Sequence, residues 1–234
     1  MKLKNKIAIV TGASRGIGRA VAHRFAQEGA EVIAVARNTV LLDSLLAEIA
    51  KDGGKATRLA ADISSDSGCR AVIDKALLLH GRVDVLVNDA GLLGSRTDVT
   101  SIDSDEWRLV FDTNVAGTFM LSKYAVLRMK ERNSGSIINV TSGVVRHPSP
   151  KWGAYLPSKF AVEGFTLMLA EELKNSGIRV NMVDPGRTNT DMIQVAFPEI
   201  SRNSFKLPED IVEPFVFLAS DESKLVTGTR IVIR

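Results

Sequence analysis

The sequence predicts an α/β fold, a doubly wound parallel sheet of about seven strands with helices on both faces. Three observations predict it. Short, nearly all-apolar runs such as Ile7-Ala8-Ile9-Val10 have the composition of strands buried on both faces. Longer amphipathic stretches alternate with them, as βαβ crossovers require. Glycines stand where several of those stretches end, at Gly29, Gly53-Gly54, Gly81 and Gly177.

In chain order, Ile7–Val10 is the first strand and a helix runs from about Gly16 to Glu28. Glu31–Ala36 is the second strand, followed by a helix over Asn38–Asp52. Thr57–Ala61 is the third strand, and the next helix covers Asp66–His80. Val83–Val87 is the fourth strand. Asp103 or Ser104 can cap a helix through Trp107 and Phe111, and a second helical segment runs from about Gly117 to Glu131. Ser136–Val140 is the fifth strand, then a helix from about Gly153 to Asn175 and a sixth strand at Ile178–Val183. Pro208 opens a helix to about Ser220, since a proline in the first turn loses little by lacking an N–H. Arg230–Ile233 is the last strand. Thr188–Leu207 has no clear pattern and is expected to be a mobile or substrate-facing loop. No linker or repeat divides the chain, so residues 1–234 read as one domain.

The 234 residues, 45% hydrophobic and 24% charged, can bury a core without a disulfide or metal. The net charge is +3 with basic residues scattered, which argues against a nucleic-acid stripe. The single cysteine, Cys69, excludes an internal disulfide, suits a reducing cytoplasm and reads as a packing residue. No apolar run approaches membrane-spanning length, and Ile7–Val10 is too short for a secretory leader. A cytoplasmic protein without membrane or nucleic-acid partners is expected. His23, His80 and His147 are far apart and have no metal-ligand spacing.

Thr11–Gly18, TGASRGIG, lies between the first strand and the first helix. Gly12 permits a tight turn, and Gly16 and Gly18 let backbone N–H groups approach a ligand. The helix N-terminus adds unpaired donors and partial positive charge suited to a pyrophosphate. The spacing is neither GxGxxG nor a P-loop, and taken alone the glycines could serve only the turn. At the end of the second strand, Ala36-Arg37 stand where an NAD enzyme usually has a carboxylate for the ribose 2′-hydroxyl. Arg37, with Arg15 from the glycine loop, favours a 2′-phosphate and hence NADP(H). The alternative is a pair of exposed surface arginines.

Tyr155 and Lys159 are four apart on an expected helix and share a face. A free tyrosine is only about 0.1% ionised at pH 7. A nearby ammonium favours the phenolate, and bringing the phenol near neutrality takes roughly 4 kcal/mol. Such a tyrosine can exchange a proton with an alcohol or carbonyl oxygen. A YxxxK match alone could be a surface pair. Ser142, at the end of the fifth strand, strengthens it, because ligands of open α/β sheets bind at the carboxyl ends of strands.

With these residues in place the sequence resembles the short-chain dehydrogenase/reductase family, in its single-domain branch with a Rossmann-type sheet. The resemblance runs from Lys6 to the C-terminus. TGASRGIG matches the family's cofactor loop, Asp62-Ile63 its adenine-contacting pair and Asn88-Asp89-Ala90-Gly91 its NNAG motif. Asn114, Ser142, Tyr155 and Lys159 match its tetrad, and Pro185-Gly186 with Thr188 and Thr190 match the motif lining the nicotinamide. The resemblance implies cofactor contacts from Gly12, Ser14, Arg15, Gly16, Ile17, Gly18, Arg37, Asp62, Ile63, Asn88, Ala90, Gly91, Tyr155, Lys159, Pro185, Gly186, Thr188 and Thr190. It implies that Tyr155 is the general acid in reduction and that Ser142 polarises the carbonyl. Lys159 would acidify Tyr155 and bind the nicotinamide ribose, and Asn114 would hold a water linking Lys159 to solvent. The expected activity is NADP(H)-dependent hydride transfer between nicotinamide and a small carbonyl or alcohol substrate, with a 3-oxoacyl thioester as one candidate that the resemblance implies. The alternative is a catalytically inactive NADP(H)-binding regulator on the same fold.

Two departures from the family pattern stand out. Asp89 replaces the second asparagine of NNAG and, when ionised, cannot donate a side-chain hydrogen bond. The sequence also ends at Arg234, without the Asp-Gly-Gly-like tail that often helps build the family's tetramer, so a homo-oligomer of two or four copies is expected. Around the centre, His147 could face the pocket or solvent, and Trp152 could pack over substrate or in the core. Arg187 could meet an anionic substrate or only water, and Arg96 is the weakest candidate of this group. Met120, Met129 and Met168 read as core filler.

Overall fold

A computed structural model describes residues 1–233. Seven strands form one parallel sheet, β1 (Ile7–Thr11), β2 (Glu31–Ala36), β3 (Lys55–Ala60), β4 (Val85–Asn88), β5 (Gly135–Val140), β6 (Ile178–Asp184) and β7 (Arg230–Val232). Their order is β3-β2-β1-β4-β5-β6-β7, so the direction of winding reverses between β1 and β4. A crevice at the carboxyl ends of these two strands is where such sheets bind ligands.

The helices are α1 (Gly16–Gln27), α2 (Thr39–Lys51), α3 (Asp66–His80), α4 (Ser104–Phe111), α5 (Gly117–Lys130), α6 (Tyr155–Glu172), α7 (Asp191–Ala196) and α8 (Glu213–Ala219). Strand side chains alternate between the faces. Ala8 and Val10 of β1 join the layer of Phe25, Leu42, Leu45 and Phe215 from α1, α2 and α8. Ile7 and Ile9 join Cys69, Leu121, Met129 and Leu169 from α3, α5 and α6. Burying a side chain such as Phe25 contributes about 1.5–3 kcal/mol. Cys69 is buried, and desolvation pushes its thiol up to about 12, which suits packing and not nucleophilic chemistry.

The expected α3 is found with the same bounds, because Ser65 accepts the Gly68 N–H at one end and Gly81 adopts the left-handed conformation at the other. Asp103, and not Ser104, caps α4 by accepting the Asp105 and Glu106 N–H groups. Several expectations need correction. β4 begins at Val85 and not Val83, while β3 begins at Lys55, paired with Glu31, and not at Thr57. The helix expected from Gly153 starts only at Tyr155, because Gly153 has φ +50. The helix expected over Pro208–Ser220 is split into a 3₁₀ turn at Pro208–Ile211 and α8, because Pro214 cannot donate the hydrogen bond a continuous helix needs. Thr188–Leu207 is not patternless: it contains α7, capped by Thr190, and a short 3₁₀ turn at Arg202–Ser204. α4 and α5 are one continuous helical run, joined by a π turn at Asp112–Ala116.

Candidate active site

The carboxyl ends of β1 and β4 are tied together by Thr11. Its Oγ1 donates to the Val87 carbonyl and accepts the N–H groups of Asp89 and Ala90, both at 3.1 Å. Gly12, at φ +70, lies against this turn, and a Cβ there would stand 3.0 Å from Ala90 N. Arg15 is the N-cap of α1 but makes no side-chain cap, and the first turn holds no acidic residue. A helix start left this way offers its donors to an anion. Arg15 and Arg37 are exposed, and no carboxylate stands at the end of β2. This donor set fits the pyrophosphate and 2′-phosphate of NADP(H). Ser14 and Ile17 belong to the same loop, with Ile17 packed on the core beneath it.

Other expected cofactor residues are already engaged with the protein. Asn88 Nδ2 donates to Asn139 Oδ1 at 2.9 Å and to Ser122 Oγ at 3.2 Å, while its buried Oδ1 has no hydrogen-bond partner among the described residues. Asp62 Oδ1 accepts from Ser64 N and Oγ, and these bonds, with Arg37 nearby, hold its carboxyl below the usual range. The Ile63 side chain is buried in the core. Gly91 lies beside the Asn114 amide, 3.2 Å from Oδ1 to its Cβ position. Gly186 takes φ +64 and its N–H bonds Asp184 Oδ1 at 3.1 Å. Thr188 Oγ1 closes the same turn onto the Pro185 carbonyl. Thr190 packs its methyl 3.1 Å from the Gly16 Cβ position, so the segment carrying α7 rests on the glycine loop.

Ser142, Tyr155 and Lys159 of the expected tetrad come together, and Asn114 reaches the same helix through Ser158. Ser142 lies two residues beyond β5, where its hydroxyl faces the Tyr155 phenol and favours the phenolate. Tyr155 is the first residue of α6, and Lys159 follows one turn later, its Nζ 5.5 Å from the Tyr155 ring and donating to the Val140 carbonyl at 2.8 Å. Asn114 sits in the π turn, which aims its amide at the Leu92 backbone (Oδ1 accepting at 2.7 Å, Nδ2 donating at 2.9 Å) and at Ser158 Oγ.

The electrostatics differ from the expectation in one respect. Lys159 does not bring the Tyr155 phenol toward neutrality in this structure. Burial pushes the phenol up to about 12, the neighbouring Ser142 hydroxyl opposes this, and Asp89 and Asp184 add to it. Lys159 is itself buried and pushed down to about 8, with Asp89 pulling it back up. Desolvation is the largest cause for both groups.

Over Tyr155 lies a small apolar cluster. Trp152 packs on Tyr155 with ring centroids 5.9 Å apart and meets Phe197 edge-on at 5.8 Å. Arg96 stacks on Trp152 at 4.5 Å and on Phe197 at 5.3 Å, and donates to the Ala196 carbonyl. Arg187 stacks on the Phe197 ring at 4.7 Å. His147 is exposed. Sequence reasoning undervalued Arg96 and did not single out Phe197, because their meeting joins residues a hundred positions apart. A cavity of about 390 Å³ lies at the amino ends of the strands, lined by Lys6, Asp84 and Arg179 among others, on the side of the sheet away from this chemistry. Among the described residues no group of three or more His, Cys, Asp or Glu could hold a metal ion. Among the described residues no helix is long and apolar enough to cross a membrane.

Residues 6–200 match the sequence profile described as short chain dehydrogenase. The 3-oxoacyl-acyl-carrier-protein reductase FabG of Thermotoga maritima is 36% identical over 97% of this chain and 96% of its own length. The 3α-hydroxysteroid dehydrogenase of Mediterraneibacter gnavus is 39% identical over 97% of this chain and 95% of its own. Among solved structures, a protein of Escherichia coli CFT073 described as a short chain dehydrogenase, complexed with NADPH, superposes with a TM-score of 0.91. It is 34% identical and the match covers 99% of this chain and 98% of that one.

Proposed function

This chain belongs to the short-chain dehydrogenase/reductase family, and on that premise we propose that it is an NADP(H)-dependent oxidoreductase acting on a carbonyl or alcohol carbon. The observation that carries this reading is the meeting of the Ser142 and Tyr155 hydroxyl groups, with Lys159 buried one turn along the same helix face. Gly12, Gly16, Gly18 and the open first turn of α1 would hold the pyrophosphate, and Arg15 and Arg37 the 2′-phosphate. Bound NADPH would supply the hydride.

The remaining requirements fall on side chains. Tyr155 keeps its proton at neutral pH, because burial holds it up at about 12. In reduction it gives that proton to the developing alkoxide oxygen, and Ser142 Oγ is the second donor to the same oxygen. Lys159, at about 8, can return a proton near neutrality. The resting protonation state therefore suits reduction. In oxidation Tyr155 must first lose its proton, so that direction is favoured by alkaline pH.

The names of the two relatives share a ketone or secondary alcohol carbon, and that is the substrate class we assign here. A homo-oligomer, dimer or tetramer, is supported by Phe119 and Leu127 on α5 and Phe160, Leu167 and Met168 on α6, all exposed large apolar side chains. The experiment is loss of NADPH absorbance against a panel of ketones, aldehydes and 3-oxoacyl esters. Turnover of at least one class is expected, whereas tight NADPH binding with no turnover would favour the regulator.

A further inference from the structure

Beneath the catalytic hydroxyls lies a buried charge cluster. Arg230 of β7 donates from Nη2 to Asp184 Oδ2 at 2.8 Å and to the Ser142 carbonyl at 3.2 Å. Its Nε lies 3.1 Å from Glu163 Oε1 as an ion pair, out of line for a hydrogen bond. The Arg230 and Glu163 side chains are each 10% exposed and that of Asp184 is 4% exposed. Glu163 also accepts from Thr141 Oγ1 at 2.6 Å, the residue before Ser142. Asp184 accepts the Gly186 N–H, in the turn beside the expected nicotinamide site.

Tyr155, Lys159 and Glu163 succeed one another at four-residue intervals and share one face of α6. Arg230 therefore joins that face to the ends of β5 and β6. The charged and hydrogen-bonding groups facing Tyr155 are Ser142 after β5, Asp89 after β4, Asp184 at the end of β6 and Lys159 on its own helix. On the outer side is the Trp152 ring, which carries Arg96. Of the two carboxylates in this set, Asp184 has a guanidinium bound to it.

We infer that Arg230 is a positioning residue for the catalytic hydroxyls: it fixes the Ser142 main chain and offsets part of the charge that Asp184 places beside Tyr155, which makes the last strand part of the reaction centre. The kinetic consequence rests on the oxidoreductase reading above. Without Arg230, an uncompensated carboxylate disfavours the phenolate, and the Ser142 carbonyl loses its clamp.

The test is the pH profile of alcohol oxidation with NADP⁺, in which Tyr155 must accept a proton. Arg230→Met should move the rising limb up by about one pH unit with NADPH affinity unchanged. Arg230→Lys, which keeps the charge and serves if Arg230→Met does not fold, should stay close to the wild-type limb. Arg230→Met combined with Asp184→Asn should bring the limb back. A rate lowered equally at every pH, or a displacement that Asp184→Asn does not reverse, overturns the proposal and leaves Arg230 a packing residue. A second arm needs no turnover. The chain has two tyrosines, so Tyr124→Phe leaves Tyr155 as the sole phenol. Its tyrosinate absorbance should rise at lower pH when Asp184→Asn is added. Coincident titrations would also overturn the proposal, whatever the outcome of the substrate panel.

Discussion

The Asp89 carboxylate stands against Gly18, with Oδ2 only 2.7 Å from where a Gly18 side chain would begin. Part of the residue reaches solvent, but the carboxylate itself is wedged between Gly12 and Gly18. Burial pushes it up to about 7, against the pull of Lys159 and of the Gly18 backbone N–H. The glycines of this loop thus admit two things, an incoming phosphate and this carboxylate.

The first prediction concerns stability against pH. Asp89 titrates near 7 in the fold and near 3.8 when unfolded, so between these values the native state holds the extra proton. Its contribution is present below about 4 and is lost as pH rises to about 7, amounting to at most roughly 4 kcal/mol. Lys159 acts in the opposite sense, its depressed value making stability recover between about 8 and 10.5. Asp89→Asn should flatten the acid-to-neutral part of a plot of Tm against pH and tighten NADPH binding above pH 7. An unchanged slope would show that Asp89 does not carry that titration.

Cofactor choice gives the second. Arg37→Ala and Arg15→Ala should each weaken NADPH binding by about tenfold to a hundredfold, because each removes a charge-assisted contact to the 2′-phosphate. NADH binding, measured by the same fluorescence titration, should hardly change. Equal losses for both cofactors would assign these arginines to the surface.

The third concerns the aromatic cover. Arg96 clasps Trp152, Phe197 and the end of α7 together. Arg96→Ala removes about 0.5–2 kcal/mol of cation–π and hydrogen-bond support, so KM for the carbonyl substrate should rise several-fold while NADPH affinity holds. A change in kcat alone would place Arg96 elsewhere in the cycle.

These predictions draw on features of unequal visibility in the sequence. The end of α3 was legible because Gly81 announces it, and the glycine loop and Ser142, Tyr155 and Lys159 because spacing places them on known sides of strands and helices. α7 was not, since six residues hold fewer than two turns of periodicity. The π turn at Asn114 has no local signature, although it decides where the amide points. Arg230, Asp184 and Glu163 come from two strands and a helix, and only the folded sheet makes them neighbours. The resting acidity of Tyr155 was misjudged for a related reason. An ammonium four residues away is visible in the sequence, whereas the degree of burial that outweighs it is not.

The central claim is that the Tyr155 hydroxyl delivers the proton that completes carbonyl reduction. The most direct measurement compares NADPH oxidation by the wild-type protein and Tyr155→Phe at saturating cofactor, with NADPH affinity determined for both. The account predicts a loss of about 10²–10⁴-fold in turnover with affinity preserved. Turnover by Tyr155→Phe close to that of the wild type would contradict it.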